Sequence, residues 1–179
     1  SISGAQRPLR LRLGVSPKVP AGALIPQRIA GSEAICGGIE YRVLCVSTHA
    51  DRPGEVVAGT DLGVYRWDPA VERWNHVPSP MDGMHILQID QHPHDPDFIV
   101  AGTRPAAIFI SEDGGASWIK APLGNASECE FINTPRVTSI QFDPVDRDTL
   151  WATIEIDAIW RSRDRGRTWQ RLADGLRTD

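Results

Sequence analysis

Short apolar stretches, each bounded by glycine, proline, aspartate or asparagine, follow one another along the chain from residue 41 onwards. The stretch HILQID alternates apolar and polar residues, whereas FIVAGT and TLWATI are apolar along most of their length. Short runs of this kind between turn-forming residues are typical of β-strands. Because no stretch shows the period of an amphipathic helix, the pattern predicts an all-β protein.

The predicted strands form a pattern that occurs three times, in copies that start at Tyr41, Met84 and Pro135. The second and third copies align without a gap through their first three strands, and the first aligns with them after one deletion near residue 61. Each copy predicts four strands, the last of them around a tryptophan: Trp74, Trp118 or Trp169. Four strands repeated about every 40–50 residues are typical of a β-propeller blade.

This repeat divides the chain into four parts. Residues 1–40 form a basic segment, in which LRLRL at 9–13 alternates like a strand and could close a blade. Blades are expected at 41–78 and 79–122, and residues 123–179 hold an inserted loop followed by a third blade. Propellers usually have about four to eight blades, and three would leave sheet edges and faces open. Either the chain is part of a longer protein, or a second copy completes the ring.

One short motif recurs between the third and fourth predicted strands, as SEDGGASW at 111–118 and SRDRGRTW at 162–169. Its aspartate can accept hydrogen bonds from backbone N–H groups of its own turn. Its glycine can adopt a positive φ, and its tryptophan can bury a large ring between sheets. The motif residues are Ser111, Asp113, Gly115, Trp118, Ser162, Asp164, Gly166 and Trp169.

The motif resembles the Asp-box, or BNR, repeat of β-propellers such as sialidases, sortilin-type receptors, xyloglucan-cleaving glycoside hydrolases and photosystem II assembly factors. The resemblance implies that the boxes are structural, lie at the outer edge of each blade and face away from the ligand-binding side. The first blade keeps Trp74 but has Trp67, Pro69 and Val71 in place of the serine, aspartate and glycine. The family favours a bacterial, extracytoplasmic protein.

The same resemblance places ligands on the opposite face, where equivalent positions of the three copies can be compared. The first strands begin with Arg42, His85 and Arg136, and such cations could hold a carboxylate or another anion. The turns between the second and third strands carry Asp61, Arg104 and Glu155 at equivalent positions, with Asp157 nearby. The alternative interpretation is that these charges pair between neighbouring blades or face solvent.

The inserted loop, LGNASECEFINTPR, is the other candidate site. It carries Glu128, Glu130 and Asn133 on the expected binding face, just before Arg136. Long loops on a rigid scaffold often carry function. They are equally the places where insertions are tolerated, so both interpretations stay open.

Three functions are compatible with this architecture. The favoured one is a non-catalytic module that binds a protein or carbohydrate. The second is a glycoside hydrolase, which needs two facing carboxylates, for which Asp61, Glu155 and Asp157 are candidates. A sialidase is disfavoured. Sialidases use both a carboxylate-binding arginine cluster and a tyrosine nucleophile, whereas this chain has only Tyr41 and Tyr65, of which Tyr65 falls within a predicted third strand, and it has no Phe-Arg-Ile-Pro stretch.

Composition narrows the remaining classes. The net charge of −4 argues against a general nucleic-acid binder. No apolar run is long enough to span a membrane. The three cysteines, Cys36, Cys45 and Cys129, form neither a disulfide framework nor a metal motif, although Cys36 and Cys129 could pair. The stretch HPHD at 92–95 offers two histidines without a third ligand, so neither a metal nor another cofactor is expected.

Overall fold

The computed structural model describes residues 42–124 and 133–175. Within those ranges the chain forms β-strands and turns and no helix. No helix there could therefore cross a membrane. The expected closing strand at 9–13 and the loop residues Glu128 and Glu130 lie outside the described residues, as do Cys36 and Cys129.

Twelve strands make three four-stranded antiparallel sheets, each built from four consecutive strands in sequence order. The first sheet contains β1 (Val43–Ser47), β2 (Val56–Thr60), β3 (Val64–Asp68) and β4 (Arg73–Val77). The second contains β5 (His85–His92), β6 (Asp95–Arg104), β7 (Ile108–Ser111) and β8 (Ile119–Lys120). The third contains β9 (Val137–Phe142), β10 (Leu150–Ile154), β11 (Ile159–Ser162) and β12 (Gln170–Leu172).

The four strands predicted for each copy are thus confirmed. The fourth strand differs in one detail from the expectation. In the second and third sheets it begins just after Trp118 and Trp169 rather than around them. The reason is that each ring is held by a hydrogen bond to the turn that precedes its own strand. In the first sheet Trp74 lies within β4 and is paired with Trp67 on β3, as in an ordinary hairpin.

The core lies between the sheets, and side chains of the second sheet alternate between its two neighbours. On β6, Ile99 and Ala101 pack in the cluster shared with the first sheet. Phe98 and Val100 pack in the cluster shared with the third sheet. All four side chains are almost fully buried. Because successive strand residues point to opposite faces, the continuous apolar run FIVAG supplies both cores at once.

Glycines on the second strands allow the sheets to come close together. A Cβ added to Gly102 would lie 2.6 Å from Cγ1 of Val137 on β9, the first strand of the next sheet. A Cβ on Gly59 would likewise lie 2.7 Å from Cγ2 of Ile86 on β5. Real side chains do not approach so closely, so a glycine is required at each position.

The SEDGGASW turn connects β7 to β8 through a closed set of hydrogen bonds. Asp113 Oδ1 accepts from the Ser117 N–H at 2.8 Å, and Ser111 Oγ accepts from the Gly115 N–H at 2.7 Å. The Ser117 hydroxyl donates to Asp113 Oδ2 at 2.5 Å. The Ser117 hydroxyl first, then the Ser117 N–H and the Ser111 hydroxyl, lower the pKa of Asp113 to about 2 by donating to its carboxylate.

The SRDRGRTW turn between β11 and β12 repeats this geometry. Asp164 Oδ1 accepts from the Thr168 N–H at 2.8 Å, and Ser162 Oγ accepts from the Gly166 N–H at 2.7 Å. The Thr168 hydroxyl, first among several donors, lowers the pKa of Asp164. Trp169 donates from Nε1 to the Gly166 carbonyl at 2.9 Å. Both copies of the motif therefore fold as the same turn.

Candidate functional site

The residues predicted on the binding face form three pairs, one in each sheet. Each pair joins the start of the first strand to the end of the second. The pairs are Arg42 with Asp61, His85 with Arg104, and Arg136 with Glu155. The sequence alignment had grouped these residues across the copies, and the structure brings them together within each copy.

In the first sheet the pair is an ion pair supported by the backbone. Asp61 accepts from the Arg42 N–H and from Arg42 Nε, each at 3.0 Å. The Asp61 N–H in turn donates to the Arg42 carbonyl at 3.1 Å. The Asp61 side chain is 18% exposed and that of Arg42 is 74% exposed. The charge of Arg42 is thus neutralised within its own sheet.

The third sheet repeats this arrangement. Arg136 Nη2 lies 3.2 Å from Glu155 Oε1, and the Glu155 N–H donates to the Arg136 carbonyl at 2.9 Å. These charges pair within a sheet rather than between neighbouring blades, which corrects that interpretation of the sequence. The reason is geometric: the start of the first strand and the end of the second are antiparallel neighbours.

The second sheet departs from this pattern because both members of its pair are basic. His85 on β5 is the register partner of Arg104 on β6. Both side chains are half-buried. Among the described residues, neither has an acidic partner within salt-bridge distance. Of the three equivalent pairs, this is consequently the one that has no carboxylate from residues 42–124 and 133–175.

Asp157 lies in the turn between β10 and β11 and belongs to a different network. Its Oδ1 accepts from Arg171 Nε at 2.8 Å, and its Oδ2 accepts from Trp160 Nε1 at 2.9 Å. Its side chain is only 9% exposed. Both carboxylate oxygens are therefore used in holding β11 and β12 together.

The three candidate carboxylates are divided between two sheets. Asp61 belongs to the first sheet, Glu155 and Asp157 belong to the third, and the second sheet packs against both of these sheets. Each carboxylate also has its own arginine. Asn133 lies in the described part of the inserted loop and has a φ of 64°.

The HPHD turn has a role that the sequence did not reveal. His92 Nε2 donates to the carbonyl of Arg147 in the third sheet at 3.2 Å, and its Nδ1 accepts from the His94 N–H at 3.1 Å. His49 repeats both contacts: its Nε2 donates to the His92 carbonyl at 3.1 Å, and its Nδ1 accepts from the Asp51 N–H at 3.0 Å. Within the described residues no three histidine, cysteine, aspartate or glutamate side chains are grouped to hold a metal ion.

The sequence also did not predict several other contacts between the sheets. Arg52 pairs with Asp97 at 2.5 Å between the first and second sheets, and Arg165 pairs with Asp95 at 2.6 Å between the second and third. Cys45 donates from Sγ to the Ile86 carbonyl at 3.3 Å, and burial raises the pKa of its thiol to about 11. Cys45 is thus a half-buried free thiol between the first and second sheets.

Comparison with known proteins supports the fold. No protein-family model matches the chain. It is 29% identical over 133 residues to the xyloglucanase Xgh74A of Acetivibrio thermocellus, a match covering 65% of this chain and 16% of that protein. The chain therefore spans about a sixth of the length of this curated relative.

Solved structures agree with this match. The xyloglucanase of family GH74 from Xanthomonas campestris superposes with a TM-score of 0.56 at 22% identity, covering 75% of this chain and 22% of that one. A YCF48 protein bound to a D1 peptide superposes with a TM-score of 0.54 at 16% identity, covering 74% and 40%. These neighbours are β-propellers, so the three sheets are blades of a partial propeller, as the sequence predicted.

Proposed function

We propose that this chain is a non-catalytic Asp-box propeller module that binds an anionic group of a protein or carbohydrate ligand beside His85 and Arg104. One observation supports this above the others. The equivalent arginines, Arg42 and Arg136, are each neutralised by a carboxylate of their own sheet. In the second sheet that carboxylate is replaced by Arg104.

The chemistry of this pair suits an anion. A guanidinium binds a carboxylate or sulfate through two parallel hydrogen bonds, and it stays charged at every physiological pH. Arg104 is half-buried next to a histidine, so part of the competing water is already excluded. Ligand binding on a rigid propeller rim would need no rearrangement of the sheets.

The carboxylates support a binding role rather than catalysis. A glycoside hydrolase needs one carboxyl group that donates a proton and a second that acts as nucleophile or base. Asp61 already accepts hydrogen bonds from Arg42, Glu155 forms an ion pair with Arg136, and both oxygens of Asp157 are occupied. Each of the three is therefore already paired with an arginine of its own sheet.

Calorimetric titration with a short oligoglutamate peptide tests the proposal, and the matching oligoglutamine peptide shows whether charge matters. We expect Arg104→Ala to weaken binding about tenfold, because a charge-assisted hydrogen bond is worth about 1.5–3 kcal/mol. Arg42→Ala is the matched control, since it removes an arginine already paired with Asp61. Equal affinities for Arg104→Ala and the unaltered chain would exclude this site.

A second candidate, a glycoside hydrolase, is favoured by the identity to xyloglucanase Xgh74A. It predicts release of reducing sugar from xyloglucan, lost in Asp61→Asn or Asp157→Asn. We expect no release by the unaltered chain. Hydrolysis abolished by these substitutions in folded protein would replace the binding proposal with this one.

A further inference from the structure

The turn between β10 and β11 holds an isoleucine in a backbone conformation that isoleucine rarely adopts. Ile156 has a φ of 59°, in the left-handed region. The other non-glycine residues with a positive φ in the described part of the chain are Glu72, Asn133 and Arg165, all of them polar. The left-handed region brings Cβ close to the following carbonyl oxygen, and a β-branched residue there is a genuine outlier. Ile156 is therefore a point of backbone strain.

The turn itself does not require an isoleucine at this position. The Asp157 N–H donates to the Ile154 carbonyl at 3.1 Å, which makes Ile156 the third residue of the turn. A positive φ at the third position usually goes with glycine or asparagine. The Ile156 side chain is 57% exposed, so the fold gains little from burying it. An asparagine would thus form the same turn with less strain.

Both neighbours of Ile156 are held firmly. The Glu155 N–H donates to the Arg136 carbonyl at 2.9 Å, and their side chains form an ion pair. Asp157 accepts from Arg171 Nε at 2.8 Å. Strained conformations persist where the surroundings determine them, and they are concentrated at functional sites. Because the adjacent charges are already paired, an apolar group of a ligand can approach Ile156 without burying an unpaired charge.

The exposure of this position does not come from the lack of a neighbouring sheet. Pro105 is the equivalent residue of the second sheet, which packs between the first and the third. Pro105 is nevertheless exposed, and it directly follows Arg104. Two adjacent sheets therefore carry an exposed apolar residue at the edge where His85 and Arg104 lie.

The spacing of these groups determines which ligand could contact both. Neighbouring sheets pack about 10 Å apart, and an extended chain advances about 3.3 Å per residue. A peptide with an acidic residue beside His85 and Arg104 would bring a residue about two to four positions away to Ile156. The isoleucine side chain offers no hydrogen bond, so it favours an apolar side chain over the hydroxyl groups of a saccharide.

We propose that Ile156 is a contact residue that selects peptide ligands in which an apolar side chain lies near an acidic one. The acidic group binds beside His85 and Arg104, and the apolar side chain packs on Ile156 in the neighbouring sheet. This inference rests on the anion site proposed above and adds the class of ligand, an acidic and apolar peptide segment rather than a carbohydrate. The strain at Ile156 is the stability lost by presenting that side chain.

Calorimetric titration with two blocked peptides, Glu-Glu-Gly-Leu-Leu and Glu-Glu-Gly-Ser-Ser, tests the apolar contact. We expect the leucine peptide, in this or the reversed order, to bind about fivefold more tightly, because contact with Ile156 removes apolar surface from water. Ile156→Asn should abolish this preference. It should also raise the melting temperature by about 2–4 °C, since it relieves the strain. A residue with a merely structural role would not combine weaker binding with greater stability.

Two further variants separate the apolar contact from the anion site. Val145→Asn is the matched control, because Val145 is 89% exposed in the turn between β9 and β10, at the other end of the third sheet. It should leave the preference for leucine intact. Arg104→Ala should weaken the binding of both peptides by the same factor.

The outcomes distinguish this inference from the proposed function. Equal affinities for the two peptides, or a preference that Ile156→Asn retains, would overturn the inference and leave the anion site standing. A lower melting temperature of Ile156→Asn would also overturn it, because Ile156 would then stabilise the fold. Tighter binding of trigalacturonate than of the leucine peptide would show that the ligand is a carbohydrate. If neither peptide bound, the anion site itself would be wrong, and this inference with it.

Discussion

Gly166 in the turn of the third sheet lies directly against Cδ1 of Ile110 on β7 of the second sheet. The glycine has a φ of +84°, so two independent requirements apply to it. Its backbone conformation disfavours a side chain, and an added Cβ would collide with Cδ1 of Ile110 unless that side chain shifted. The motif glycine therefore serves the turn and the contact between sheets at once.

Gly166→Ala is expected to destabilise the fold by about 2–4 kcal/mol, the sum of backbone strain and overpacking. The matched control is Gly175→Ala, because Gly175 has a φ of +85° and no atom within 4 Å of the added Cβ. It should cost only the strain, about 1–2 kcal/mol. Urea denaturation measures both values.

A double-mutant cycle with Ile110→Ala separates the two causes in Gly166→Ala. Shortening Ile110 makes room for the new methyl group, so the two substitutions together should cost less than their separate effects added. Strict additivity would show that the contact between sheets contributes nothing to the requirement for glycine.

Asp164→Ala is expected to reduce the free energy of unfolding by about 1–2 kcal/mol, because it leaves the Thr168 N–H and hydroxyl without their acceptor. Asp174→Ala, an exposed substitution beyond β12, should change it far less. Affinity for any confirmed ligand should be unchanged in material that stays folded. Loss of ligand binding at unaltered stability would show that this turn belongs to a binding site and would contradict its structural role.

The sequence predicted the sheets well because strand patterns and turn chemistry are local. The run FIVAGT and the turn SEDGGASW each lie within a few residues, and both fold as expected. The pairing of Arg42 with Asp61 was not predicted, although both residues had been singled out. Alignment of repeats compares equivalent positions and gives no direct information on which different positions become neighbours across a sheet.

Contacts between sheets were the hardest to foresee, since they join residues far apart in the chain. His92 and Arg147 are separated by 55 positions, and a histidine in a turn has no signature that distinguishes a hydrogen bond to a neighbouring sheet from a metal ligand. The same holds for Arg165, which pairs with Asp95. Only the packing of blade on blade determines these partners.

Stability should fall in mild acid because of His92. Burial, first among the causes, lowers its pKa from the ordinary value of 6.5. The unfolded chain therefore takes up a proton at a higher pH than the folded chain does. The free energy of unfolding should decrease as the pH falls below 6.5 and level off below the folded pKa.

His92→Gln tests this pH dependence. Urea denaturation at about pH 7.5 and about pH 5 should show that the stability lost by the substitution is larger at the higher pH. His94→Gln, which alters the neighbouring exposed histidine, should leave the difference between the two pH values nearly unchanged. If His92→Gln shows the same pH dependence as the unaltered chain, another group is responsible.

Asp157 and Glu155 provide the sharpest distinction between a structural and a catalytic carboxylate in the third sheet. Asp157→Asn keeps the size of the side chain but replaces one acceptor oxygen by a donor, which must then face either Arg171 or Trp160. We expect a loss of about 1–3 kcal/mol, because one of those donors loses its partner in a nearly buried position. Glu155→Gln should cost less than about 1 kcal/mol, since its pair with Arg136 is partly exposed. Thermal unfolding at a fixed pH measures both variants, and the order of their stabilities is the result that matters.

An Asp157→Asn variant as stable as the unaltered chain would mean that its hydrogen bonds are dispensable, and Asp157 would then be the first residue to examine for a role in substrate binding.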